Sequence, residues 1–197
     1  MFDFDGVIAD SLSLQSRAFV DTMTEHGLHH LATPEQFVDF LEDNWFAALA
    51  AAGVPRKAAT QVDDSIGELP SPELFPGMAA VLERLAAAHT IVVITSSRTD
   101  QVERVLEEHG VAGVTEVIGA DQDESKTRRI KAAQRRFGPG RPAWYVGDTV
   151  GDMLEAREAG VCTVGAAWGW HGPERLGRTR PDRLAHEPQD LLDLFTA

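Results

Sequence analysis

Two aspartate pairs, a run of three hydroxyls and one lysine are the residues of this chain whose types and spacing suit chemistry. The first pair opens the sequence, in Asp3-Phe4-Asp5-Gly6-Val7-Ile8-Ala9-Asp10-Ser11. Two carboxylates that leave a short strand and meet a glycine at once make a compact acidic cluster. The carboxyl ends of strands are where open α/β sheets bind ligands. One carboxylate can attack while the other handles protons, provided their environments differ; a surface turn rich in Asp and Gly accounts for the same letters. The second pair lies in Gly147-Asp148-Thr149-Val150-Gly151-Asp152, directly after the apolar run Ala143-Trp144-Tyr145-Val146. There Asp148 projects from a strand end and Asp152 lies about one helical turn further on. With Asp3 they offer the hard oxygen ligands that magnesium prefers. The competing reading makes Asp148 a helix N-cap, with Asp152 near the positive end of the dipole.

Thr95-Ser96-Ser97 follows Ile91-Val92-Val93-Ile94. Hydroxyls and free amides at a strand-to-helix junction suit a phosphate oxygen, and plain N-capping explains them equally well. Lys126, in Glu124-Ser125-Lys126-Thr127, stands before an amphipathic helix. It is either a cation that offsets phosphate charge or a solvated surface lysine.

Positioning these residues takes strands that alternate with helices. Short β-type runs recur at Ile91–Ile94, Val114–Ile118, Ala143–Val146 and Val161–Val164. Between them apolar residues are spaced by three and four: Val81, Leu82 and Leu85, then Val102, Val105 and Leu106, then Ile130, Ala133 and Phe137. Such alternation predicts βαβ units and a parallel sheet. Gly110 and Gly160 stand where helix C-caps fall. Residues 12–71 break the rhythm, with no convincing strand. Leu12, Phe19, Val20 and Met23 share one predicted helical face, and Phe37, Val38, Leu41, Trp45 and Leu49 another. Thr33-Pro34-Glu35-Gln36 reads as a capped helix start. The expectation is a Rossmann-like α/β core, residues 1–11 and 72–197, with helices on both faces of a parallel sheet and a small helical insertion, residues 12–71, after the first strand.

Composition excludes several classes. The 197 residues carry 18 Lys and Arg against 31 Asp and Glu, a net charge of −13. That argues against nucleic acid as a partner, because such binding depends on basic side chains neutralising phosphates. A small phosphorylated ligand is still compatible, since a local field can oppose the net charge. No stretch approaches the roughly 18 apolar residues of a membrane span, so no membrane partner is expected. The N-terminus lacks a basic region followed by an apolar run, and Cys162 is the single cysteine. Both suit a cytoplasmic protein.

Taken together, acid pair, hydroxyl, lysine and acid pair, in that order, resemble the four motifs of the haloacid dehalogenase superfamily, of the phosphoglycolate-phosphatase-like branch. Phe75-Pro76-Gly77, Trp168-Gly169-Trp170-His171-Gly172-Pro173-Glu174-Arg175-Leu176 and Pro181-Asp182 resemble that branch too. The resemblance implies an Mg²⁺-dependent phosphatase acting on a small phosphorylated metabolite, phosphoglycolate-like or a sugar phosphate. In it Asp3 is the nucleophile that forms an aspartyl-phosphate, and Asp5 is the general acid and then the base. Thr95 and Ser96 bind the phosphoryl group, and Lys126 counters its charge. The metal falls to Asp3, Asp5 (through its backbone carbonyl), Asp148 and Asp152. Residues 12–71 correspond to the family's helical cap, where Asn44, Arg56, Lys57, His29 and His30 are candidates for reading substrate, and Trp45 and Phe46 for its core.

Three departures from the family pattern stand out. Only Met1 and Phe2 precede Asp3, which implies either a start codon placed too late or an unusually short first strand, with unpaired neighbours and a poorly anchored nucleophile. Thr127 stands where many relatives have proline, and the cap is short. A 2-haloacid dehalogenase needs no metal and lacks the second aspartate of the first motif, so Asp5 and the Asp148/Asp152 pair argue against it. A phosphomutase, or a catalytically weak binding or regulatory member of the fold, are the remaining alternatives.

Overall fold

The computed structural model describes residues 1–42, 45–123, 125–138 and 140–196. The chain divides into two compact units, Met1–Asp10 with Glu73–Ala197, and Ser11–Pro72.

In the first unit the strands are β1 (Ile91–Ile94), β2 (Val114–Ile118), β3 (Trp144–Gly147), β4 (Cys162–Ala166) and β5 (Arg183–Ala185). β1 pairs with β2, and β3 with β4 and β4 with β5, all in parallel. The N-terminal residues join the two groups. Phe2 bridges Val93 on one side and Val146 on the other, again in parallel. Its amide donates to the Val92 carbonyl at 2.9 Å, and its carbonyl accepts from the Ile94 amide at 2.8 Å. On the other edge the Asp3 amide donates to Val146 at 2.8 Å, and the Val146 amide donates to Met1 at 3.0 Å. The expectation of a poorly anchored nucleophile is therefore corrected. Residues 1–3 are held because an extended segment between two strands bonds along both of its edges.

Side-chain alternation along the strands sorts the core into two layers. Ile91 and Val93 point to the face covered by Met78, Val81, Leu82 and Leu85, by Val102, Val105 and Leu106, and by Leu191 and Leu192. Val92 and Ile94 point to the other, against Ile130, Ala133, Ala156 and Ala159. Numbering helices along the chain, with α1 to α4 in the second unit, the first face carries α5 (Met78–Ala86), α6 (Thr99–Glu108) and α10 (Asp190–Thr196). The second face carries α7 (Lys126–Phe137) and α8 (Val150–Ala159), and α9 (Gly172–Gly177) precedes β5. β1 is buried at every position, as a strand covered on both faces must be. Of the five strands only β5, a three-residue edge, gave no pattern to read in the sequence.

The second unit consists of α1 (Leu12–Glu25), α2 (Pro34–Asp39), a short 3₁₀ turn (Phe40–Glu42), α3 (Trp45–Ala51) and α4 (Arg56–Gly67). Thr33 caps α2 as its letters predict, its hydroxyl accepting from the Gln36 amide at 3.1 Å. Phe19 is the hub of this unit, with ring centroids 5.4 Å from Phe37, 5.9 Å from Phe40 and 6.0 Å from Trp45. The single face expected from Phe37 to Leu49 is corrected to two. The turn at residues 40–42 resets the helical phase, so Phe37, Phe40 and Leu49 are buried while Phe46 lies exposed rather than in the core. α1 likewise buries Gln15, Ser16 and Thr22 beside Phe19 and Met23, leaving Leu12 and Val20 half-exposed. Among the described residues no helix is long and apolar enough to cross a membrane.

Candidate active site

Parallel strands bring their carboxyl ends to one edge of the sheet, and the motif residues stand there. Asp3 follows the segment at Phe2, Thr95 follows β1, and Asp148 follows β3. Lys126 is the first residue of α7 and Asp152 lies in the first turn of α8. Oxygens of Asp3, Asp148 and Asp152 lie within 4.8 Å of one another, and all three residues are buried.

One cation sits among them. Lys126 Nζ is 2.9 Å from Asp3 Oδ2 and 2.6 Å from Asp152 Oδ1, with all three side chains almost wholly removed from water. Lys126 is thus not the solvated surface residue of the alternative reading. Asp3 Oδ1 accepts the Phe4 amide at 2.7 Å, which fixes the carboxylate between two donors. Beneath Lys126 lies the ring of Tyr145, whose hydroxyl donates to the Ile94 carbonyl at 2.8 Å.

Asp148 is not a helix N-cap. That place is taken by Thr149, whose hydroxyl accepts from the Asp152 amide at 3.1 Å while Asp152 Oδ2 accepts from the Thr149 amide, also at 3.1 Å. The reciprocal pair is a capping box. It orients Asp152 so that Oδ1 faces Lys126, while the Asp148 carboxylate is left to the cluster. Asp148 Oδ2 accepts from the Trp170 amide at 2.7 Å, and Oδ1 is buried with no hydrogen-bond partner. The loop at 168–171 frames this carboxylate, with His171 Nδ1 accepting the Val150 amide at 2.9 Å and thereby capping α8. Gly6 has φ +75°, and a Cβ there would collide with the Asp148 carboxylate. Only glycine lets the Asp5 turn come this close.

The electrostatics follow from three carboxylates and one ammonium in a space closed to water. Burial first, and then the charge of Asp152, push the Asp3 carboxyl up to about 8. Burial and the charges of Asp152 and Asp3 raise Asp148 well above the ordinary carboxylate range. Burial also opposes ionisation of Asp152, but the Lys126 charge and hydrogen bond outweigh it and hold that group low. For Lys126 itself, burial is overcome by Asp152 and Asp3, and its ammonium persists well above its ordinary value. An excess of buried negative charge with an unpartnered carboxylate oxygen is the environment a small divalent cation relieves. The donor set, all hard oxygens, fits magnesium.

The remaining predicted residues divide. Thr95 is buried and its hydroxyl accepts from the Ser97 amide at 3.1 Å. Ser96 is exposed and Asp5 half-buried. In the helical unit His29, His30, Arg56 and Lys57 are all exposed, and Asn44 lies outside the described residues. Thr127, in the place of the family's proline, reaches the Glu155 carbonyl through its hydroxyl.

Two contributors were given no role from the sequence, although Ser97 stood among the three hydroxyls. Ser97 donates its hydroxyl to Asp5 Oδ2 at 2.5 Å. Arg129, buried, donates to the carbonyls of Thr95 and Ile118 and so ties the ends of β1 and β2 together. The one signal for Arg129 is its place three residues after Lys126, on the same face of a helix. A cavity of about 370 Å³ lies at the opposite, amino-terminal end of the strands, bordered by Met1, Ile91, Ala143, Trp144 and Phe195, and takes no part in this cluster.

An aspartate, a lysine and two further aspartates thus stand together at the carboxyl edge of a parallel α/β sheet. Residues 1–166 match the haloacid dehalogenase-like hydrolase family, and the chain belongs to it. A phosphoglycolate phosphatase of Synechococcus elongatus is 29% identical over 214 aligned residues, covering 100% of this chain and 96% of that protein. Among solved structures, a haloacid dehalogenase-like hydrolase from Streptococcus pneumoniae superposes with a TM-score of 0.77 at 24% identity, over 98% of this chain and 96% of its own. A predicted phosphatase from Clostridium acetobutylicum reaches 0.81 at 18% identity, over 99% and 96%.

Proposed function

We propose that this phosphoric monoester hydrolase is an Mg²⁺-dependent phosphatase that cleaves a small phosphorylated metabolite by way of an aspartyl-phosphate on Asp3. The observation that carries this reading is the convergence of Asp3, Lys126, Asp148 and Asp152 in one buried cluster at the carboxyl edge of the sheet.

In the first half-reaction an oxygen of Asp3 bonds to phosphorus, the bond from phosphorus to the substrate oxygen breaks, and Asp5 gives that oxygen a proton. In the second, water gives a proton to Asp5 and bonds to phosphorus, and the bond to Asp3 breaks to release phosphate. Lys126 holds Asp3 in line and offsets the charge that gathers on the phosphoryl oxygens. Thr95 and the amides that follow it receive those oxygens. A divalent cation held by Asp3, Asp148 and the Asp5 carbonyl, with Asp152 direct or through water, would supply the rest of the positive charge. Substrate choice is assigned to the helical unit, the counterpart of the family's cap. The substrate class is a phosphoglycolate-like or sugar phosphate, in keeping with the Synechococcus elongatus relative.

Hydrolysis of p-nitrophenyl phosphate, with Mg²⁺ and with EDTA, tests the reading. Release of nitrophenol that requires the metal is expected. Equal release with EDTA would overturn the metal assignment, and no release from folded, Mg²⁺-loaded protein on this ester or a panel of small phosphate esters would favour a binding or regulatory member of the fold.

A further inference from the structure

We infer that Ser97 is a positioning residue for proton transfer, its hydroxyl setting the direction in which the Asp5 carboxyl faces. The inference rests on the reading of Asp5 as the proton donor and extends it to a residue outside the motif positions assigned above.

Asp5 stands in a tight turn in which the Gly6 amide donates to the Ala9 carbonyl at 2.9 Å. The turn fixes its backbone, but a half-buried aspartate on a turn keeps several side-chain rotamers within reach. A 2.5 Å hydrogen bond from Ser97 Oγ to Asp5 Oδ2 selects one of them, and bonds of this length to a carboxylate are among the strong ones. Ser97 can do this because it is itself held on two sides. Its amide donates to Thr95 Oγ1 at 3.1 Å, and its carbonyl accepts from the Ala120 amide at 3.0 Å. Gly119 keeps that approach open, since a Cβ there would meet the Ser97 carbonyl at 2.6 Å. The orientation of Asp5 is thereby referred to the ends of β1 and β2, the same frame that places Thr95.

The choice of a hydroxyl suits the two duties of Asp5. The Ser97 hydroxyl donates to Oδ2 of the carboxylate, and it can go on donating to the same oxygen as the carbonyl of the acid. The other oxygen, Oδ1, is then left to carry the proton that is given or taken. Ser97 can therefore keep Asp5 in one place both when it must give a proton and when it must take one.

A group that positions a general acid matters in proportion to how badly the leaving group needs a proton. The test is kcat/KM, which reports phosphoryl transfer to Asp3, across substituted phenyl phosphates from p-nitrophenyl to unsubstituted phenyl. For Ser97→Ala we expect a loss of about tenfold or more on phenyl phosphate and less than about threefold on p-nitrophenyl phosphate, with Ser97→Thr restoring most of it. A purely structural role would lower both esters alike, and that result would overturn the inference. Asp5→Asn separates the two levels. If it gives the leaving-group-dependent loss and Ser97→Ala does not, the positioning role fails while the proton donor stands. If Asp5→Asn gives no such dependence, Asp5 is not the donor and both fall.

Discussion

The two units of this chain spend their interiors on opposite things. In the sheet unit, Asp3, Lys126, Asp148 and Asp152 are buried at the end of an aliphatic core. In the helical unit the interior is aromatic, built on Phe19, Phe37 and Phe40 with Trp45 against them, and its candidate recognition residues His29, His30, Arg56 and Lys57 stay in water. Buried charges demand exact placement, because each uncompensated one costs several kcal/mol, and strands and helix first turns supply that placement. Exposed charges demand none. On the proposed reading, chemistry falls to the sheet unit with its buried charges, and selectivity to the helical unit with its exposed ones.

The sharpest way to break this comparison is Asp3→Asn. Turnover of p-nitrophenyl phosphate is expected to fall by about a thousandfold or more, since the nucleophile is lost, with the circular dichroism spectrum unchanged. A nearly active Asp3→Asn protein would remove the sheet unit's claim to the chemistry.

Phe19→Ala is the corresponding blow to the helical unit. Emptying the aromatic hub should cost that unit about 3–5 kcal/mol. Hydrogen exchange should quicken in α1 and α4 and stay slow in β1 and β3; equal quickening in both would show that the two units do not have separate cores.

Asp148→Asn probes the price of buried charge directly. The Asp148 carboxyl is raised above its ordinary value of 3.8 by burial and by Asp152, so the folded state without metal opposes its ionisation. That penalty sets in as the pH rises through the ordinary value and is absent below it, where the group is protonated in both folded and unfolded chains. Without metal the variant should therefore melt higher than the parent at pH 7 and like it below about pH 3. The rise in melting temperature that Mg²⁺ gives the parent should shrink. Unchanged melting with and without Mg²⁺ would count against Asp148 as a ligand.

The smallest effects are expected from Arg56→Ala and Lys57→Ala. Both side chains are exposed, and surface changes of this kind leave stability within about 0.5 kcal/mol. If they read substrate, KM for a small phosphate ester rises a few-fold while kcat holds; an unchanged KM would move recognition elsewhere in the unit.

Much of the sheet unit was legible in the sequence because its signals are local. Apolar runs such as Ile91–Ile94 are buried on both faces and so need no alternation, and helix faces such as Val102, Val105 and Leu106 follow from the period of the helix. β5 escaped because three residues at an edge carry too little pattern. The helical unit read less well: a 3₁₀ turn at 40–42 changes the helical phase, and that exposed Phe46, which residue type alone placed inside.

The sequence by itself determined which residues are candidates for the chemistry and that Asp3, Thr95 and Asp148 follow strands, since residue type and position after an apolar run are properties of a short segment. Tertiary structure decided their partners. Lys126 meets Asp3 across 123 positions and Ser97 meets Asp5 across 92, distances along the chain that no local period encodes. The order of strands in a parallel sheet sets which carboxyl ends are neighbours. It is that order, with residue 2 between β1 and β3, that gathers the aspartates around one lysine and gives Asp5 a hydroxyl to lean on.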